Sequence, residues 1–517
     1  MCEKQGIDFW NLLLYNRSIS DNTNEWGAYI VDARVAFGEC LQEQLTAHGL
    51  TASKAARLVG FRSRNSIFRI LSGETSAEVD ARFLDKLKEA LGDEWPLESW
   101  RQLENALDMK RVGPVQHCSN QALCQAMSGG GEKRRYMVEY KENGQAVERP
   151  LEELLREICR RGNISVGICG CCERSLAAVL AASMNDAGCE GRLRVRHYID
   201  TSPDVMVSGL LSVLPLMSKV WYNARLVGQG QCPPEMAAVY RLNIISIIVE
   251  APDGERTSHQ LLQCDTERFV YVGMVGDAGQ LLDVMDRFRF QLAPLKPMTP
   301  PQGGPEDFVA YTESYLHLEQ DCMILSIKPD VHFNFVPSRL LYTAIEEGFR
   351  QSGMASGEGL AELLAALQAI HDQRFANITG KHRPTHFVYS LQAMERFMRT
   401  GVQSDHFFIQ RAYTVEERRA IVRLLLEQMQ NDPYFNVWFL RPELPEIRAE
   451  MTFYEGKGVL LMDAYTSYDL HDDHSEAVVP MPEFMQSFQR FFMDVVLGQL
   501  VLSRAESMAA LERLLVL

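Results

Sequence analysis

The chain has 517 residues, 46% apolar and 23% charged, with a formal net charge of −16. That length exceeds what one hydrophobic core serves, so several domains are expected. A charge this negative excludes a protein that coats nucleic acid over its whole surface. It leaves room for a local basic patch, because phosphate contacts act within about 10 Å at moderate salt.

No apolar run reaches the roughly 18 residues of a membrane span, so no membrane partner is expected. The apolar segment Phe9-Trp10-Asn11-Leu12-Leu13-Leu14 follows acids and precedes no small-residue cleavage site, unlike a secretory signal. Twelve cysteines without regular spacing fit reduced thiols, and a cytoplasmic location is expected.

In chain order, residues 1–32 read as a polar-aromatic extension and residues 33–110 as an all-α domain. Residues 111–135 lack apolar periodicity and end in Gly129-Gly130-Gly131-Glu132-Lys133-Arg134-Arg135, which predicts a linker. Residues 136–293 turn to mixed α/β texture. There, a strand at Ile164–Cys169, a helix at Ser175–Asn185 and a strand at Leu193–Tyr198 predict a parallel pair. Ile244–Glu250 and Arg268–Val275 bracket Pro252-Asp253-Gly254-Glu255 and predict a long antiparallel hairpin, followed by a helix at Gly279–Leu292. Proline-rich residues 294–305 read as a second linker. Residues 306–517 repeat the theme, ending in a long helix from Pro482. The expected fold is thus multidomain, an all-α head followed by an α/β body of one or two related modules.

The head carries the sharpest signal. Phe37, Leu41 and Leu45 form the apolar face of a first helix that Gly49 stops. Thr51 can cap a second helix with Ala55, Ala56 and Leu58 inside, ended by Gly60 at a positive φ. Ser63 caps a third helix to about Leu71, with Ile67, Ile70 and Leu71 on the buried side. Asn65, Arg69 and Ser72 fall opposite, flanked by Arg64 and Ser66. Residues 54–70 hold Lys54, Arg57, Arg62, Arg64 and Arg69 and no acid. A recognition helix needs this division, because Arg pairs with guanine and Asn with adenine in the major groove. A solvated hairpin with incidental arginines is the plainer alternative.

The run Gly60-Phe61-Arg62-Ser63-Arg64-Asn65-Ser66-Ile67-Phe68-Arg69-Ile70-Leu71-Ser72-Gly73 resembles the turn and recognition helix of lambda-repressor-like bacterial regulators of the xenobiotic-response-element class. The turn is one residue longer than the commonest pattern. The resemblance implies contacts to double-stranded DNA from Lys54, Arg62, Ser63, Arg64, Asn65, Ser66 and Arg69, with Phe83, Leu84, Leu87 and Leu91 in the closing helices. More loosely, the body resembles the effector portion of long regulators with this head, some of which carry domains related in shape to phospholipase D. That chemistry needs His-x-Lys-x-x-x-x-Asp, and none of the twelve histidines has a lysine two residues later. Catalysis of that kind is therefore not expected.

Other constellations weigh less. Cys169-Gly170-Cys171-Cys172 with Arg174, at a strand end, is a candidate ligand site. It lacks phosphatase spacing, and small buried residues at a tight turn are the commoner explanation. His471-Asp472-Asp473-His474 reads as an acidic surface loop, and the Phe484, Phe488, Phe491 and Phe492 stripe as core or subunit interface. The final helix carries more apolar residues than one face requires, so it is expected to pack against a second subunit as well.

The function expected from sequence is sequence-specific DNA binding in transcription regulation, by a homodimer with a small-molecule effector site in the body and no cofactor. The alternatives are a DNA-localised enzyme and an interaction scaffold of phage or plasmid maintenance.

Overall fold

The computed structural model describes residues 33–61, 63–128, 135–142, 145–170, 176–177, 179–180, 183, 192–200, 205–217, 219, 221–227, 243–254, 256–264, 268–273, 305–329, 331, 336–351, 358–379, 383–402, 411–463 and 476–517. The chain divides into two units, Met1–Gln121 and Ala122–Leu517. Among the described residues, no helix is long and apolar enough to cross a membrane.

The first unit is helical wherever it is described. It contains α1 (Ala33–Ala47), α2 (Ala52–Leu58), α3 (Arg64–Leu71), α4 (Ala77–Leu91), α5 (Leu97–Val112) and the start of α6 (Pro114–Ser128). Phe37, Leu41, Leu45, Ala55, Ala56, Ile67, Ile70, Phe83, Leu84 and Leu87 close one core. Gly38 lets α1 cross the end of α3, since a Cβ there would lie 2.3 Å from the Leu71 carbonyl oxygen. Two helices thus meet at backbone distance. Lys110 on α5 donates to Asp80 on α4 at 2.6 Å, with side chains only 4% and 0% exposed. Thr75 donates to the same carboxylate, tying down the segment that follows α3.

The unstructured reading of the linker at 111–135 is corrected by α6, which occupies Pro114–Ser128, while the division between the two units, after Gln121, falls inside that stretch. Its polar side chains bond one another, as in Gln116 to Asn120 at 2.8 Å, while Leu123, Ala126 and Met127 enter the core of the second unit. The apolar residues are too few to give the segment a periodic stripe, so sequence alone missed the helix. Gly129, Gly130 and Gly131 lie outside the described residues.

The second unit holds two mixed sheets. The first contains β1 (Met137–Glu142), β2 (Gln145–Pro150), β3 (Asn163–Cys169), β4 (Leu193–Asp200), β5 (Tyr222–Val227), β6 (Ile244–Glu250), β7 (Arg256–Gln263) and β8 (Arg268–Gly273). Helix α7 (Leu151–Cys159) follows β2, and α8 (Met206–Val213) follows β4. The strand order is β2-β1-β8-β7-β6-β3-β4-β5. Strands β3, β4 and β5 run parallel, as expected for the first two, and β6, β7 and β8 extend the sheet antiparallel from β3.

The expected long hairpin is also corrected. Glu250 turns into Arg256–Gln263, and this intervening strand pairs with both β6 and β8. Its sequence, Arg-Thr-Ser-His-Gln-Leu-Leu-Gln, is too polar to announce a strand flanked on both sides. Of the predicted 175–185 helix, positions 176–177, 179–180 and 183 are helical; Gly279–Leu292, the linker at 294–304 and His471–His474 lie outside the described residues.

The second sheet follows α9 (Pro305–Glu319). It contains β9 (Ile324–Ile327), β10 (Thr385–Tyr389), β11 (Phe435–Phe439), β12 (Ala449–Tyr454), β13 (Gly458–Asp463) and β14 (Glu476–Val479). Helices α10 (Ser338–Gln351) and α11 (Glu358–Thr379) separate β9 from β10, and α12 (Leu391–Thr400) and α13 (Val415–Asn431) separate β10 from β11. The order is β11-β10-β9-β12-β13-β14. Here β9, β10 and β11 run parallel, and β12, β13 and β14 extend antiparallel from β9. Setting aside β1 and β2, the two sheets share one strand order and one set of directions.

A continuous apolar core draws on both sheets, with Ile164, Val166 and Ile247 from the first and Leu325, Met451 and Leu461 from the second. The final segment lies in this core. It is an α-helix, α14 (Pro482–Arg490), only to Arg490, then a π-helix over Phe491–Leu500. Extended Val501 bridges Leu440, and α15 (Arg504–Leu514) closes the chain. Phe484, Phe488, Phe491, Phe492 and Val496 are all buried in the shared core, and Leu502 packs on a second cluster. The inner side of this segment therefore packs into its own unit, as expected, while Val495, Leu500 and Leu502 stay half-buried and Met493 is exposed.

Candidate nucleic-acid interface

The strongest candidate surface lies on α2 and α3. Thr51 Oγ1 accepts from Lys54 N at 3.3 Å and Ser63 Oγ from Asn65 N at 3.2 Å, so both helices start on side-chain caps. Between them Gly60 takes φ 77° and turns the chain, and Gly73 at φ 74° ends α3. Ile67 and Ile70 anchor α3 in the core, and Leu71 is half-buried against it. The other side presents Asn65, Arg69 and Ser72, all exposed, with Ser66 half-buried at the margin.

Lys54 and Arg57 are exposed on α2, and no acid occurs between Thr51 and Ser72. The nearest acid to Arg69 is Glu74, at 3.7 Å, with both side chains 63% exposed. A pair that exposed holds the guanidinium loosely. The structure thus gathers Lys54, Ser63, Asn65, Ser66 and Arg69 on two successive helices. Ser63 spends its oxygen on the helix cap. Arg62 lies outside the described residues, and of Arg64 only the backbone, at the start of α3, is described.

The Cys169 turn is of a different kind. Cys169 ends β3 buried, and Gly170 follows at φ 61°. His197, on β4, donates from Nε2 to the Gly170 carbonyl at 2.7 Å, which assigns the tautomer, and Nδ1 accepts from Tyr222 O–H at 2.9 Å. Burial depresses the His197 pKa to about 4, outweighing the carbonyl, which favours the charged form. The imidazole is therefore neutral near pH 7 and pins the turn. Cys171, Cys172 and Arg174 lie outside the described residues. Among the described residues no group of three His, Cys, Asp or Glu side chains could hold a metal ion.

Sequence reasoning missed a buried polar row in the second sheet. Lys328, one residue past β9, donates to Glu450 on β12. Ser326 and Thr452 bond at 2.8 Å beside them. Glu476, on β14, accepts from Tyr311 and Tyr315 of α9, and burial pushes its carboxyl up to about 7. Arg374 on α11 binds Glu319 with bonds of 2.6 and 2.9 Å and lies over the Tyr315 ring at 4.6 Å. The only local sign of this row was a charged residue at the end of each apolar strand. The partners lie up to 165 residues apart. All these side chains are buried except Tyr311, which is half-buried, so the row can set strand register and hold a proton.

Compared with protein-family models, curated proteins and solved structures, the chain matches none.

Proposed function

We propose that the first unit is a helix-turn-helix head of the lambda-repressor-like kind that binds duplex DNA sequence-specifically, and that the chain regulates transcription. One observation carries this reading: α3 exposes Asn65 and Arg69 together, opposite Ile67 and Ile70, within an acid-free stretch. In this reading α3 enters the major groove. Asn65 reads adenine, Arg69 reads guanine, and Lys54 contacts phosphate. The net charge of −16 restricts binding to this surface. A single head reads a half-site, so the proposal includes a homodimer, with the α/β unit as its effector-responsive part.

The test is selection of duplexes from a random pool by the full chain, followed by titration of variants on the selected site. Asn65→Ala and Arg69→Ala should each weaken binding by about 1–3 kcal/mol while unfolding curves stay unchanged. Wild-type affinity in both variants would remove the reading. Lys54→Ala should weaken all sequences alike and reduce the salt slope by about one.

A further inference from the structure

Resting on the helix-turn-helix reading, we propose that Phe68 is a base-reading residue of the same surface and recognises the 5-methyl group of a thymine. Phe68 follows the buried anchor Ile67 on α3, yet it is 54% exposed, more than Tyr434 at 42%. The side chains beside it on the helix, Asn65, Arg69 and Ser72, are polar and exposed. A protein partner docking on an exposed aromatic ring would be met by apolar neighbours, whereas the exposed neighbours of Phe68 along α3 are polar. The surroundings suit a polyanion that carries isolated apolar groups, and the major groove of DNA is such a surface.

Geometry narrows the target. At 3.6 residues per turn, Phe68 stands about 60° round the axis from Asn65 and about 4.5 Å further along it. One base-pair step is about 3.4 Å, so the ring meets the pair next to the one that Asn65 reads. Only thymine presents a methyl group on the major-groove edge, and Phe is among the side chains that contact it. The selected site should therefore hold a thymine adjacent to the adenine assigned to Asn65.

The experiment replaces each thymine of the site selected by the full chain with deoxyuridine, which deletes the methyl group and keeps every hydrogen-bonding atom. One replacement should weaken the wild type about fourfold, the value of burying one methyl group. Phe68→Ala, whose fold is checked by circular dichroism, should bind the thymine and uracil duplexes equally, and Phe68→Leu should retain part of the preference. Undiminished discrimination in Phe68→Ala, or no discriminating position in the wild type, overturns the assignment while leaving DNA binding intact. A selection that enriches no sequence overturns the helix-turn-helix reading itself, and the assignment with it.

Discussion

The sheet built on β3 and the sheet built on β9 share strand order and directions but differ in chemistry where their central strands end. In the first, Cys169 lies opposite Ile244, which pairs across to Leu262 and then Val270. In the second, Lys328 meets Glu450, whose row continues through Met462 to Glu476. One strand plan therefore closes with an apolar row and again with a charged one. The plan itself does not require the charges. A buried ion pair seldom adds net stability over apolar residues of similar size, whereas half of one is strongly destabilising.

The largest test of this contrast removes half of the pair. Lys328→Met should lower the unfolding free energy by about 3–5 kcal/mol, because Glu450 is left buried without its cation. Adding Glu450→Ile, which copies the apolar residue of the first sheet, should recover most of that loss. Urea unfolding with unchanged m-value reads both. A double variant as unstable as the single one would mean that the second sheet depends on its charges for folding.

The next test uses pH, to which Glu476 of the second sheet and His197 of the first respond in opposite directions. Glu476 holds its proton in the folded state up to about 7, against 4.5 ordinarily. Its contribution to stability is complete below 4.5 and is lost as pH rises through 7. His197 in the first sheet stays neutral down to about 4, against 6.5 ordinarily. Its contribution is complete above 6.5 and is lost as pH falls through 4. His371 and His386, around the second sheet, are also depressed to about 4 by burial and slope as His197 does. Glu476→Gln should therefore leave a protein whose stability rises more steeply between pH 5 and pH 7 than the wild type. Parallel pH profiles in the two proteins would show that Glu476 is ionised throughout that range.

The smallest effect is expected in the first sheet. Tyr222→Phe deletes the hydroxyl donated to His197 Nδ1 and should cost about 1 kcal/mol, read as a shift in the urea midpoint. A loss as large as that of Lys328→Met would end the distinction between an apolar row pinned by one histidine and a charged row.

Local chemistry made the head legible from its residues. Thr51 and Ser63 cap helices because a short side-chain oxygen reaches a free amide two or three residues on. Gly49, Gly60 and Gly73 all take positive φ because the turns demand it and a Cβ would oppose it. Ile67 and Ile70 are buried as their helical spacing predicts, whereas Leu58, expected inside with Ala55 and Ala56, is exposed. The parallel pairing of β3 with β4 was legible for a similar reason, since a compact apolar strand, a helix and another strand leave few other arrangements. DNA binding itself remains the proposal that these local features support.

What sequence alone determined about this protein was set within about one helical turn or one strand: caps, glycine turns and apolar faces. What only the tertiary structure decided was set between distant residues. Polar Arg256–Gln263 became a strand because β6 and β8 satisfy its backbone on both sides. Pro114–Ser128 became a helix because Leu123 and Met127 have a core to enter. Phe491, Phe492 and Val496 turned inward on a π-helix because a core shared by the two sheets receives them. Lys328 and Glu450 lie 122 residues apart, and only the pairing of β9 with β12 makes them partners. Burial and pairing depend on what the rest of the chain brings to a residue, and local periodicity does not carry that information.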